Sequence, residues 1–399
     1  MSRPKNQAGF DPNESRIVHF TGFAHAATHF VELIYPTLAV GLATETGVPL
    51  EEALSWSFGG YLLFGLGALP AGLAADRLGG RRVILAGLIV AGISTGLAAL
   101  SRPGWPLALA LCGVGAGASL YHPAGTGLVS RAVRARGRAL GINGIYGNAG
   151  IALSPLCTFG LVEAVGWRGA LGCTGLFILL ATLLMSRLEI REPEAEVPAA
   201  TVEGEPQASP FRSIAPFIVL CAAATFGGFA YRGNTVAQPA LFAAEISFMG
   251  YGIAASLAML AGTAGQYVGG MIADRFELKR SYLAFHLASL PALWFISVGT
   301  EWPLLIAASI YSIFALGMQP IENSLFAVVT PDRWRSTAYG LKFVLTFGVG
   351  SLAVWMVRGV AEASGWHSVY GVLVGVLILL LSCIGLLFAF TSGRALRNR

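Results

Sequence analysis

The sequence predicts an all-α membrane protein of twelve transmembrane helices, arranged as two pseudo-symmetric six-helix bundles. Three observations predict it. Hydrophobic residues make up 55% of the 399 residues and charged ones only 12%, against roughly 25% charged in soluble domains, and the mean hydropathy is +0.67. Apolar runs of about 20 residues, enough to cross a hydrocarbon core, recur from Phe20 almost to Phe390. Near the middle, a Glu- and Pro-rich stretch separates two halves that share motifs at a fixed offset.

In chain order, the first window is 17–43, an apolar run interrupted by His25, His29, Glu32 and Tyr35. Windows 54–76 and 82–101 flank a turn rich in Gly and Arg, and 105–130 begins after Pro103-Gly104. The spans 138–163 and 168–187 complete the first half. In the second half the windows are 213–243, 250–273, 281–299, 302–329, 336–361 and 367–391, separated by polar or Gly/Pro-bearing turns. The first sixteen residues are polar and show no h-region or cleavage site, so the first helix is expected to insert as an anchor. The five cysteines are scattered through apolar helices, which points to small core residues rather than disulfides or a zinc site.

Charge placement orients the chain. Grouping the N-terminus with the even-numbered loops collects 21 of the 26 Lys and Arg residues on one side, among them Arg77, Arg81, Arg82, Arg131, Arg134, Arg136 and Arg138. Both termini are therefore expected on the cytoplasmic side of an inner membrane, contacting lipid and no nucleic acid. Residues 1–188 make the first bundle, 189–211 a flexible cytoplasmic linker carrying Glu189, Glu192, Glu194, Glu196, Glu203 and Glu205, and 212–399 the second bundle.

The halves repeat. Gly72, Asp76, Arg77, Arg81 and Arg82 recur as Gly270, Asp274, Arg275, Lys279 and Arg280 at an offset of 198. Arg136, Ala139 and Gly141 recur as Arg335, Ala338 and Gly340 at 199, and Pro36 has its counterpart in Pro239. Parallel six-helix repeats are the architecture of rocking secondary transporters, whose cargo site lies near the midplane between the repeats.

The turn Gly72-x-x-x-Asp76-Arg77-x-Gly79 with Arg81 and Arg82 resembles the helix 2–3 loop of the major facilitator superfamily (MFS), with Gly80 where a basic residue is usual. Tyr121-His122-Pro123-Ala124-Gly125 and Gly147-Asn148-Ala149-Gly150 with Pro155 resemble fosmidomycin-resistance-type drug exporters. The resemblance implies the MFS fold, helices 1, 4, 7 and 10 lining the cavity, and the aspartates Asp76 and Asp274 acting as cytoplasmic gate latches beside Arg77 and Arg275.

Charged groups at the centre of a membrane helix cost about 2.5–3.5 kcal/mol each, so they are expected to face a cavity. Helix 1 carries His25, His29, Glu32 and Tyr35, helix 4 Tyr121 and His122, helix 5 Asn143, Tyr146 and Asn148. Helix 7 carries Tyr231 and Arg232, helix 10 Glu322 and Asn323, helix 11 Lys342, and helix 9 only His286. His25, His29 and Glu32 fall within about 60° of arc on one helix. Two uses suit that stripe. Glu32 with His29, His25 and His122 can bind and release protons in step with cargo, or His25, His29 and Glu32, with His122, can ligate a metal ion. A hydrogen-bonded structural cluster is the plain alternative.

In the second half Arg232, Lys342 and Glu322, with Tyr35, Tyr121, Tyr231, Asn323 and Asn148, suit an anionic or zwitterionic head group. Alternatively Glu322 neutralises Arg232 or Lys342. A carboxylate at Asp76 can accept hydrogen bonds from the N-terminus of a neighbouring helix. Pro123 is expected to bend helix 4 beside His122. The glycines 113, 115 and 117, and 141, 144, 147 and 150, read as helix-packing positions.

The expected function is proton-coupled export of a small, anionic or amphipathic compound by a monomer, with neither cofactor nor catalytic activity. Import of an organic anion, or of a metal ion or its chelate, is the runner-up, followed by a non-transporting receptor of the same fold.

Overall fold

A computed structural model describes residues 10–192, 214–330, 335–392 and Leu396, with the side chains of 335–337 left out. The linker beyond Glu192 and the terminal basic residues, Arg3, Lys5, Arg394, Arg397 and Arg399 among them, lie outside the described residues.

Helix α1 runs Pro12–Thr46 and starts in a capping box. The Asp11 carboxylate accepts from the Asn13 and Glu14 amides, and Glu14 accepts from the Asp11 amide in return. Next, α2 comes in three pieces, Leu50–Ser55, Phe58–Leu66 and Ala68–Leu78, bent by 46° at Gly67. Gly79, at φ 88°, makes the one-residue turn into α3, Gly80–Leu100. Then α4 breaks at Leu120 into Trp105–Ser119 and Tyr121–Ala132, just ahead of Pro123. The run Arg136–Ser186 is two helices, α5 (136–165) and α6 (167–186), hinged at Gly166 with φ 69°.

The second half holds α7 (Ala215–Glu245), α8 (Tyr251–Arg275), α9 (Leu278–Ile296) and α10 (Glu301–Val329). Helix α11 is Arg335–Phe343, a π turn Val344–Gly348, a 3-10 turn Val349–Leu352 and Ala353–Ser364. The chain closes with α12, Trp366–Phe390.

Among the described residues, twelve rods thus occupy the twelve windows. By length and hydropathy, eight helices among the described residues qualify as spans, or nine with the bent α2 taken whole. That reckoning takes α5 and α6 as one, and leaves out α8 and α9, whose Gly, Gln, Tyr and Lys content dilutes their hydropathy. Two expectations need correction. The loop between helices 5 and 6 is the single residue Gly166, and helix 11 is irregular at mid-depth.

Burial is inverted relative to a soluble domain. Leu100, Trp105 and Leu184 are exposed on the outside, while Glu32, Asn143, Arg232, Glu322 and Lys342 are buried. Small residues let helices approach backbone to backbone. A Cβ on Gly115 would stand 1.8 Å from the Gly60 carbonyl oxygen, and one on Gly150 2.2 Å from that of Ala26. Gly141 and Gly144, by contrast, face open space.

The halves meet towards the face opposite Phe10 and Leu396. There Gly65 of α2 lies against the Gly348 backbone of α11, and Gly250 and Gly252 lie against the Phe159 ring. The Leu156 amide donates to Ser256 Oγ at 2.8 Å, Arg358 Nη1 donates to Ser55 Oγ at 3.2 Å, and the Phe58 and Trp355 rings pack at 5.6 Å.

Candidate functional site

On the terminal-face side of these contacts the halves part around a cavity of about 260 Å³. One wall is His25, His29 and His122 with Asn148; the other carries Tyr231, Gln266, His286, Gln319, Glu322, Asn323 and Lys342. Phe343 and Phe347 also line it, their rings stacked on His122 at 5.5 and 6.4 Å.

The first wall is positioned by α1 and by the break in α4. His25 and His29 are one turn apart, and the α4 break swings His122 onto them. The three ring centres form a triangle with sides of 4.9, 5.2 and 5.1 Å. His25 Nδ1 donates to the Asn143 carbonyl at 2.9 Å, and its ring stacks on Tyr121 at 4.8 Å. Tyr121 itself is buried: its hydroxyl donates to the Thr21 carbonyl at 2.9 Å and accepts from Asn143 Nδ2 at 2.8 Å. It therefore supports the wall from behind. Tyr35 is likewise drawn away, donating to the Ala53 carbonyl at 2.8 Å.

At the cavity floor the structure pairs residues of opposite halves. Arg232 Nη2 meets Glu32 Oε1 at 2.6 Å with both side chains buried, and Glu32 Oε2 lies 3.2 Å from His29 Nδ1. The guanidinium also sits 3.5 Å above the centre of the Tyr61 ring, a cation–π contact. Arg232 is thus the partner of Glu32, and neither of Glu322 nor of open cargo space. Arg232, expected at a second-half anion site, is here bound to Glu32 of the first half.

Glu322 takes Lys342 instead, at 2.8 Å, while its other oxygen accepts from the Tyr282 hydroxyl at 2.6 Å. Lys342 Nζ donates in addition to Asn323 Oδ1. His286 packs edge-on against Tyr282 at 4.6 Å, and its Nε2 has no partner among the described residues. Tyr282 and Tyr61 went unnoticed in the sequence because a lone Tyr in an apolar helix has no periodic signature. Tyr282 precedes His286 by four positions, and that spacing was the available signal.

The terminal-face loops differ from expectation. Asp76 is 70% exposed at the side chain and, among the described residues, reaches only Arg131, at 3.4 Å. The carboxylate that accepts from a neighbouring helix N-terminus is Glu192, bound to the Gly80 and Arg81 amides at 2.8 Å each. Residues 189–192 are therefore fastened to the first half rather than loose: Arg191 and Asn13 exchange two hydrogen bonds, and Arg16 donates to the Glu189 carbonyl. A Cβ on Gly72 would meet Pro123 of α4 at 3.6 Å, ordinary van der Waals contact. Arg77 and Arg275 fall in the last turns of their helices, where cations complement the dipole, and Asp274 precedes Arg275 at the end of α8.

Two six-helix halves that touch on one face and part around a polar cavity define a secondary transporter, a transport protein and not an enzyme. The chain belongs to the Major Facilitator Superfamily, whose sequence profile matches residues 18–231 and again 219–398. A Haemophilus influenzae protein named for metabolite transport is 24% identical, over 83% of this chain and 85% of its own. An Escherichia coli protein named for L-galactonate transport is 24% identical over 32% of this chain and 29% of its own. A methylenomycin A resistance protein of Bacillus subtilis is 32% identical over 29% of this chain and 26% of its own. The crystal structure of a bacterial homologue of the human lysosomal transporter Spinster, inward-facing and unoccupied, superposes with a TM-score of 0.71 at 16% identity, covering 96% of this chain and 97% of that one.

Proposed function

We propose that this transporter moves a small organic anion together with protons, so that an inward proton gradient drives uptake. The observation that carries the reading is the Glu322–Lys342 pair on the cavity wall. An anion that takes Lys342 for itself strips Glu322 of its cation at membrane depth, where an unpaired charge costs several kcal/mol. A proton on Glu322 removes that cost. Anion and proton therefore favour each other's binding, and a coupling of that sign is reciprocal. Exchange of an anion for protons would need the opposite sign, competition for one place. The relatives named for metabolite and L-galactonate transport support the choice of cargo.

The test is reconstitution in liposomes with a panel of labelled small carboxylates and an internal pH dye. Uptake of an anion with acidification of the lumen is expected, and E322Q is expected to exchange anion for anion without responding to the pH gradient. Protons leaving as anions enter would overturn the reading and select a second one, export of an amphipathic compound in exchange for protons. That second reading is supported by the Phe64, Phe343 and Phe347 rings gathered on His122, by the exporter-like helix 4 and 5 motifs, and by the resistance-named relative. The face carrying Phe10 and the arginines 77, 81, 82, 131 and 134 is proposed to be cytoplasmic, in an inner membrane, and the working unit a monomer.

A further inference from the structure

We propose that His25, His29 and His122 form a binding site for one divalent first-row transition-metal ion, of the zinc or nickel class, on the cavity wall facing Lys342. This does not rest on the anion reading, since it concerns the opposite wall and residues of the first half only.

The three imidazoles each offer a nitrogen, and these atoms lie within 4.8 Å of one another. Ring spacing fits the chemistry. With metal–nitrogen bonds of about 2.0–2.1 Å and tetrahedral angles, three imidazoles on one ion have their ring centres about 5.2 Å apart. The observed sides are 4.9, 5.1 and 5.2 Å. Ring rotation with small shifts, without backbone movement, then brings the nitrogens onto an ion.

Tautomers are set correctly for two of the three. A backbone carbonyl only accepts, so His25 Nδ1 carries the hydrogen it donates to Asn143, and its Nε2 is left as a bare lone pair. The Glu32 carboxylate fixes His29 in the same way. A histidine whose far N–H is held by a carbonyl or carboxylate is the usual outer support of a metal ligand. The Nε2 atoms of His25 and His122 have no partner among the described residues, although both lie in a buried setting where an unmet polar atom costs free energy. The two cations of the region are both paired, Arg232 with Glu32 and Lys342 with Glu322.

Imidazole ligands select zinc, nickel, cobalt or copper over magnesium and calcium. Three protein ligands leave at least one coordination position for water or for an oxygen of the cargo, and Lys342 lies on the facing wall of the same cavity. Because all three ligands belong to α1 and α4, the ion rides with one half and leaves rocking free.

The experiment uses the full chain in detergent, purified without a histidine tag, with zinc, nickel and cobalt as probes and magnesium and calcium as controls. Equilibrium dialysis is expected to show one tightly held zinc or nickel ion per chain, and cobalt is expected to give the intense visible bands of a four-coordinate site. H122N should weaken binding by at least about tenfold, the lower end of what losing even an outer supporting partner costs. G147A, whose new Cβ would stand 2.5 Å from the His25 ring, should weaken it too, and H19A should not. Binding unchanged in both H122N and G147A, or a six-coordinate cobalt spectrum in the intact protein, would overturn the site.

Discussion

Arg232 and Glu32 stand 200 positions apart in the chain and 2.6 Å apart in space, one from each half. Such a pair holds the halves together only while the face beyond it is closed. Removing one partner of a buried pair typically costs 3–5 kcal/mol, because the survivor is left uncompensated, whereas replacing both by apolar side chains is often neutral. E32M and R232M are each expected to lower the thermal midpoint in detergent markedly, and the double variant to recover most of the loss. A double variant as unstable as the sum of the two would refute the clasp.

Gly65 and Gly348 approach backbone to backbone where the halves close the face opposite the termini. A Cβ on Gly65 would come within 2.1 Å of the Gly348 amide nitrogen, and neither backbone can give way cheaply. G65A is therefore expected to hold that face ajar, abolishing transport while leaving the fold intact. Labelling of a cysteine introduced at Ser55 from the opposite face should rise in G65A and stay low in G359A, where a Cβ meets nothing within 4 Å.

Glu192 and Asp76 offer a graded comparison on the terminal face. Glu192 caps the first turn of α3 through two amides, and a lost cap costs about 1 kcal/mol. Asp76 forms an exposed pair with Arg131, of a kind worth about 0–1 kcal/mol. E192A is expected to destabilise the first half more than D76A, measured by thermal unfolding. The reverse order would return the helix-capping role to Asp76.

Within one half, Gly115 and Gly160 separate packing from propensity. G115A drives a Cβ against the Gly60 carbonyl at 1.8 Å and should cost about 1–3 kcal/mol, as overpacking does. At Gly160, where nothing lies within 4 Å, alanine should stabilise by about 0.4–1 kcal/mol. The two variants should move the melting temperature in opposite directions.

The span pattern was legible in the sequence because lipid demands about 20 apolar residues per crossing and nothing else in the chain mimics that. The residues of the polar cavity were legible for the same reason: His29 or Glu322 inside such a run needs a special place. Pairing was not legible. Glu322 was the one carboxylate set against both Arg232 and Lys342, whereas Arg232 takes Glu32 of the other half and only Lys342 takes Glu322. Tyr35 and Tyr121 have the right depth but point at the Ala53 and Thr21 carbonyls, an orientation set by neighbouring helices. The helix-capping role of Glu192 was hidden by its sequence context, since a Glu-rich stretch reads as solvated until a distant N-terminus is placed beside it.

Beyond Lys342 the chain of α11 first widens into a π turn and then tightens into a 3-10 turn. The first carries an excess of residues per turn and the second a deficit, so their errors in winding oppose each other. Ala338 before them and Val354 and Val357 after them are buried, which anchors both ends. The section between is gripped as well, its Gly348 backbone against Gly65 of α2 and its Thr346 and Gly350 backbone against Gly228 of α7, so the opposed windings are clamped from both halves. Lys342 and Phe343 come immediately before that clamp and line the cavity, so the anchor that fixes their angle is the same one that joins the two halves.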